Sequence, residues 1–252
     1  MYQKNPIKKK IKKKIIYLIT KIFFRIIDRV FNNTFEEKIR RKLLNLHSQN
    51  YKILDNKYYF IHIPKTGGTT FHTHLQMNLK DTLFNFNHPY TYNYYTHYPL
   101  KKNHQFNINN KYFTIIRNPI YRVYSFYIDS LTNKKNVFHN VARRGIENFC
   151  QKCWEAQNLY IKYYSGDLFD LNEESFYKAK NNLSNFFFIL NFETLSSDII
   201  KISSLLNLEY LKFETKNTKK YNQPSEVDLN IIKKYNQLDI KLFNILKKET
   251  KI

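Results

Sequence analysis

The segment that most constrains the fold of this chain is YFIHIPKTGGTTF, residues 59–71. Its first half is aromatic and β-branched, which is typical of a buried strand. A proline and two glycines then turn the chain, and Thr69 and Thr70 are suited to opening a helix that runs through Leu79. A strand, a glycine turn and a helix N-terminus together favour anion binding, because backbone N–H groups and the helix dipole point at the turn.

The residue order within this turn limits which anion the site would hold. Gly67 and Gly68 allow the backbone to approach an oxyanion without an intervening Cβ, and Lys65 adds a positive charge at the mouth of the loop. In the ATP and GTP loop, G-x-x-x-x-G-K-[ST], the lysine follows the last glycine, whereas here it precedes both. A tight turn with glycines for geometry alone is the alternative interpretation.

The frame HIPKTGGTTF resembles the 5′-phosphosulfate loop of sulfotransferases that use 3′-phosphoadenosine 5′-phosphosulfate (PAPS). It is most similar to the heparan sulfate 6-O- and 2-O-sulfotransferases and their bacterial relatives. The resemblance implies that Lys65 acts in catalysis and that the loop binds the donor. The donor-binding residues implied are Lys65, Thr66, Gly67, Gly68, Thr69 and Thr70.

A second motif, YFTIIRNPIYRVYSFY, spans residues 112–127. A strand-favouring run leads into Arg117, and Pro119 stands where a helix takes its first residues. Ser125 follows two helical turns later, so its hydroxyl can share a face with the helix start, and an arginine with a serine makes a phosphate clamp. In the resembled family an arginine and a serine at this spacing bind the 3′-phosphate. A surface ion pair for Arg117 and a helix-face hydroxyl for Ser125 are the alternatives.

Sulfuryl transfer needs a base, which is expected to be a histidine or a glutamate. In the 6-O-enzymes a similar loop is followed by the histidine taken as general base, and His74 matches that position, with His72 as its neighbour. His88 and His97 are the alternatives, because the 2-O-enzymes use a histidine later in the chain. His62, on the strand, is expected to pack or to position the loop. No metal-binding constellation is present, and the chemistry requires none.

Strands alternating with helices predict an α/β fold with a P-loop-like, mainly parallel sheet and helices on both faces. Further predicted elements are a strand over residues 185–193, helical structure over 137–166 and one amphipathic helix over 227–246. Residues 158–166 faintly resemble an N-x-Q-T-x-x-L-x-G stretch of the family, but Tyr160 and Ile161 replace its Gln and Thr. Ligands of such sheets lie at the carboxyl ends of the strands, so we expect the Lys65 turn and Arg117 to lie together.

The N-terminal segment has a different character. Residues 1–14 carry seven lysines, and residues 15–31 predict an amphipathic helix that Lys21 and Arg25 make too polar to span a membrane. No small-residue cleavage site marks a signal peptide. Such a helix suits an anionic membrane surface, with docking on the catalytic domain or on a partner chain as the alternative. We therefore predict a basic amphipathic segment (1–50), a catalytic domain (51–252), and a cytoplasmic protein, either free or peripheral on the inner face of a membrane.

Charge and cysteine content are less specific. The net charge of +22 predicts anionic partners, although a proteome-wide excess of lysine would explain it equally well. Cys150 and Cys153 form a single C-x-x-C, which is compatible with redox chemistry or half a metal site. Because no second pair follows, two packed thiols are favoured. The basic loop over residues 216–225 either closes over a nucleotide or is simply solvated.

These observations together predict a PAPS-dependent sulfotransferase that moves a sulfuryl group to a hydroxyl of a glycan, whether capsular, lipid-linked or another saccharide. No nucleic-acid partner is expected. The alternative is an anionic-membrane or nucleic-acid binding protein with a degenerate nucleotide site. A nucleotide kinase is disfavoured by the order of lysine and glycines.

Overall fold

The computed structural model describes residues 58–71, 99–100, 102–106, 108–207 and 223–249. Three parallel strands form one sheet in the order β1 (Tyr58–Ile61), β2 (Lys111–Ile116) and β3 (Phe188–Asn191). Phe113 of β2 lies opposite Phe60 on one side and Phe188 on the other. Because the strands are parallel, their carboxyl ends lie at one edge of the sheet, as the sequence predicts.

Helices surround this sheet in the described part of the chain. A helix begins at residue 68, directly after the turn that follows β1, and is described as far as residue 71. The later α-helices are α1 (Pro119–Thr132), α2 (His139–Ala142), α3 (Ile146–Lys152), α4 (Leu159–Ser165), α5 (Glu173–Leu183), α6 (Leu195–Leu205), α7 (Glu226–Tyr235) and α8 (Gln237–Glu249).

The two faces of the sheet are covered by different helices. Phe113 and Ile115 point to one face, where they pack with Phe71 and with α6. Ile116 lies in the core of the other face, with buried residues of α4, α5 and α8. This alternation along β2 buries both faces, as parallel sheets require, and confirms the predicted α/β class.

The C-terminal helix predicted as one element is two, α7 and α8, and the break lies at Asn236. The Asn236 amide donates to the carbonyl oxygens of Ala156 (2.8 Å) and Ile232 (3.0 Å). The Asn158 side chain accepts from the N–H of Leu238 (3.1 Å) at the start of α8. The prediction of a single helix was wrong because contacts with residues about 80 positions away interrupt a continuous amphipathic pattern.

Two other predicted elements are shorter than the sequence suggests. The strand predicted over residues 185–193 is ordered as a strand only in β3, and Phe192–Thr194 forms a 3-10 turn. The helical stretch predicted over residues 137–166 is divided, since Gly145 adopts a φ of 99° between α2 and α3. Glycine tolerates this conformation, which is unfavourable for other residues.

The two cysteines are free and buried in the core beside α1 and α3. Burial raises the pKa of Cys150 to about 12, so the thiol stays protonated. The prediction of packed thiols is confirmed. Across the described ranges, the helices are all too short or too polar to cross a bilayer. The predicted N-terminal amphipathic helix lies outside the described residues.

Candidate active site

The loop after β1 is shaped by its own backbone. Lys65 and Gly67 have φ angles of 69° and 82°, in the left-handed region that L-residues seldom adopt. The fully buried Thr66 donates from its hydroxyl to the carbonyl oxygen of Ile63 at 2.8 Å. The N–H of Thr70 donates to the carbonyl oxygen of Gly67 at 3.1 Å, which closes the first turn of the following helix. A positive φ at a lysine is unusual and is typical of functional loops.

Close packing explains why both of these loop positions are glycine. A Cβ on Gly68 would lie 2.0 Å from Nε2 of His62, and a Cβ on Gly67 would lie 3.0 Å from the Phe192 ring. The His62 ring is in turn stacked on Phe60, with ring centroids 5.2 Å apart. His62 therefore packs against the loop, as predicted, and the glycines admit neighbouring rings at the point where the chain turns.

Arg117, the first residue after β2, reaches this loop. Its Nη1 donates to the carbonyl oxygen of Lys65 at 3.1 Å, and its guanidinium lies over the Phe192 ring, 4.1 Å from the centroid. A guanidinium over an aromatic face is attracted by the ring quadrupole. The structure thus brings the Lys65 turn and the Arg117 guanidinium together at the carboxyl edge of the sheet, which is the juxtaposition that the two sequence motifs predict.

The backbone of Arg117 is held by Tyr160 of α4. The Arg117 N–H donates to the Tyr160 hydroxyl oxygen at 2.9 Å, and the same hydroxyl donates to the Arg117 carbonyl oxygen at 2.6 Å. Tyr160 is fully buried, and burial raises its pKa above the ordinary tyrosine value. The hydroxyl is therefore protonated at physiological pH and can donate while it accepts.

Helix α1 forms the wall beyond Arg117. Asn118 caps it by accepting from the N–H of Ile120 at 3.0 Å, and Pro119 occupies the first turn. Ser125 lies on this helix and is buried. One turn further, Oδ1 of Asp129 lies 3.8 Å from Nζ of Lys65, and both side chains are 25% exposed. The ion pair joins the loop to α1.

Charged groups are also buried behind the edge. Arg122 of α1 is fully buried and donates from Nη2 to the Glu155 carbonyl oxygen at 3.0 Å. Burial lowers the pKa of Lys162 to about 7, against the opposing effect of Asp239, and its ammonium donates to the Trp154 carbonyl oxygen at 2.6 Å. Burial likewise raises the pKa of Asp239 to about 6, although the Arg122 charge acts in the opposite direction.

The structure describes only some of the site residues predicted from the sequence. The loop residues 65–70, Arg117 and Ser125 are described, whereas His72, His74, His88 and His97 lie outside the described residues. Sequence reasoning missed the contacts of Tyr160 and Asp129. The signal for Asp129 was its position four residues after Ser125, on the same helical face. Tyr160 departed from the family pattern, which hid it.

The fold and this edge define the class of the protein. It is an α/β protein whose strand ends bring a strained basic loop and an arginine to one edge, the usual place for phosphate-containing ligands. The model of the sulfotransferase family matches residues 49–245, which is well over half of the chain. The chain belongs to the sulfotransferase family, and it is a sulfotransferase that acts on a hydroxyl-bearing acceptor. Sulfotransferases of this family generally use PAPS as the donor. A search of curated proteins gave no match.

Proposed function

We propose that the edge formed by the Lys65 loop, Arg117 and α1 binds PAPS as a single donor held at both ends. The observation that supports this most is the 3.1 Å hydrogen bond from Arg117 to the Lys65 carbonyl oxygen. It links the cationic loop to the second cationic group of the edge. A donor with a phosphosulfate at one end and a phosphate at the other carries negative charge that matches both.

At the loop, Lys65 and the backbone of residues 66–70 bind the 5′-phosphosulfate. The first N–H groups of a helix have no acceptor one turn earlier, and this helix starts at residue 68, directly after the turn. The Thr70 N–H already donates to the Gly67 carbonyl oxygen at 3.1 Å and would share its hydrogen with the donor. Thr69 is exposed at this turn, whereas Thr70 is buried. Lys65 neutralises the charge that develops on the leaving phosphate oxygen, a role in which preorganised donors contribute most.

At the other end, Arg117 and Ser125 bind the 3′-phosphate. Tyr160 fixes the Arg117 backbone. The Lys65 carbonyl oxygen and the Phe192 ring restrict the orientation of the Arg117 guanidinium. A planar guanidinium suits a phosphate because it can donate two parallel hydrogen bonds. Ser125 adds a hydroxyl from α1.

Transfer then needs an acceptor hydroxyl in line with the sulfur and a base that removes its proton. We assign the base to His74, with His88 and His97 as the alternatives, and the acceptor to a glycan. Positioning and electrostatics supply much of the rate, by analogy with phosphoryl transfer. Contact of residues 1–31 with an anionic membrane, and the division of the chain near residue 50, stay predictions.

Thermal unfolding with adenosine 3′,5′-bisphosphate, the product nucleotide, tests the donor assignment. We expect a concentration-dependent rise in Tm that ATP with magnesium does not produce, because a ligand that binds only the folded state stabilises it. Equal stabilisation by both nucleotides, or by neither, would contradict the proposal. Acceptor screening with sulfur-labelled PAPS, in parallel for the wild type and His74→Ala, then tests the glycan and the base. Full activity in the variant would move the base to His88 or His97.

A further inference from the structure

The contact between Tyr160 and Arg117 is unusual because one hydroxyl serves both backbone groups of one residue. The hydroxyl accepts from the Arg117 N–H at 2.9 Å and donates to the Arg117 carbonyl oxygen at 2.6 Å. β2 ends at Ile116, so Arg117 lies just beyond the ladder that fixes the strand. Tyr160 therefore extends the ordered backbone by one residue, to the residue whose side chain reaches the Lys65 loop.

Tyr160 is itself anchored on both sides. The Asp239 carboxylate accepts from the N–H groups of Tyr160 and Ile161, each at 3.0 Å, at the first turn of α4. In return, Asn158 before α4 accepts from the N–H groups of Leu238 and Asp239 at the start of α8, at 3.1 and 3.2 Å. The two helix starts thus cap each other, and the Tyr160 backbone has little freedom to move.

The ring of Tyr160 is equally constrained. It is fully buried, it lies 5.9 Å from the Arg122 guanidinium and it stacks on Tyr164 at a centroid distance of 6.1 Å. A buried tyrosine ring with a hydrogen-bonded hydroxyl has little conformational freedom, because the side chain has only two rotatable bonds that place the ring. A displacement of Arg117 would break both of its hydrogen bonds with the Tyr160 hydroxyl at once.

We propose that Tyr160 is a positioning residue that sets the Arg117 guanidinium for the 3′-phosphate of the donor. This inference rests on the proposed function, and it adds a residue of α4 that does not itself touch the nucleotide. It predicts that the loss of one hydroxyl, buried behind the edge, selectively weakens recognition of the 3′-phosphate. Binding at the 5′ end, which depends on the Lys65 loop, should change little.

The test compares Tyr160→Phe with Tyr164→Phe. Tyr164 is the matched control: it lies on the same helix, is fully buried, and its hydroxyl bonds the Thr114 hydroxyl at 2.9 Å rather than Arg117. The measured quantity is the ratio of the affinities for adenosine 3′,5′-bisphosphate and for AMP, which lacks the 3′-phosphate. We expect Tyr160→Phe to lower this ratio by about three- to tenfold. The Arg117 guanidinium would be less well placed for the 3′-phosphate, at a cost of about one hydrogen bond. Tyr164→Phe should leave it unchanged.

The possible results distinguish a failure of the Tyr160 role from a failure of the proposed function. An unchanged ratio in Tyr160→Phe, or an equal loss in Tyr164→Phe, overturns the positioning role. A wild type that does not prefer the bisphosphate over AMP overturns the proposed function instead. A measurement that keeps the hydroxyl covers the case in which Tyr160→Phe does not fold. The ¹⁹F resonance of 3-fluorotyrosine at position 160 should shift more with the bisphosphate than with AMP, and equal shifts contradict the inference.

Discussion

The Lys65 loop and the Arg117 end of β2 meet at one edge of the sheet but are held by different kinds of contact. The turn of the loop is set by neighbours in sequence, since Thr66 bonds Ile63 and Gly68 accommodates His62, and Lys65 then contacts Arg117 and Asp129. Arg117 is fixed by Tyr160, 43 positions later in the chain, and by the loop itself. The shape of the turn therefore depends mainly on the loop's own residues, whereas the position of Arg117 depends on how distant helices pack.

The largest expected effect separates chemistry from binding. Lys65→Ala should lower turnover by roughly 10²- to 10³-fold, the usual cost of losing a group that stabilises developing charge. Arg117→Ala should instead raise the KM for the donor by at least about tenfold, since a charge-assisted hydrogen bond is lost. Steady-state transfer from labelled PAPS measures both. Lys178→Ala, which removes an equal charge from a lysine paired with Asp167, is the control. A fall in kcat alone for Arg117→Ala would contradict this division.

A smaller effect is expected from the glycine that accommodates His62. Gly68→Ala places a Cβ 2.0 Å from Nε2 of His62, so the ring or the turn must move. We expect about 1–3 kcal/mol of destabilisation from overpacking, with weaker binding of adenosine 3′,5′-bisphosphate. Thermal unfolding and a binding titration measure these two quantities. Because Gly68 does not have a positive φ, the obstacle is steric, and His62→Ala in the same chain should restore the turn. Failure of the double variant to recover would show that the glycine has another role.

The smallest effect is expected from the ion pair that joins the Lys65 loop to α1. Asp129 lies 3.8 Å from the Lys65 ammonium and would compete with an anionic donor for it. A solvent-accessible ion pair of this kind contributes about 0.2–1 kcal/mol, so Asp129→Asn should tighten bisphosphate binding by roughly 1.5- to 5-fold. Calorimetric titration at low salt measures this. Asp167→Asn makes the same charge change just after the C-terminal end of α4 and should have no effect. Unchanged or weaker binding in Asp129→Asn would show that the carboxylate does not oppose the donor.

The contrast between local and long-range contacts also explains which features could be predicted from the sequence. The loop and the strand ends could be predicted because their determinants are contiguous: PKTGGTT in one run, and a strand followed by Arg117, Asn118 and Pro119 in another. The roles of Tyr160 and Asn236 could not, since each depends on partners from about 40 to 80 positions away. Periodicity predicted one C-terminal helix because the apolar pattern continues through Asn236. Only the packed structure shows that this side chain bonds other elements.

The proposed site requires that one donor spans the Lys65 loop and Arg117. A crystal structure of the protein with adenosine 3′,5′-bisphosphate tests it most directly. We expect the 5′-phosphate on the backbone of residues 66–70 and the 3′-phosphate within hydrogen-bonding distance of Arg117 and Ser125. A nucleotide bound elsewhere, or one whose 3′-phosphate points away from Arg117, would contradict it.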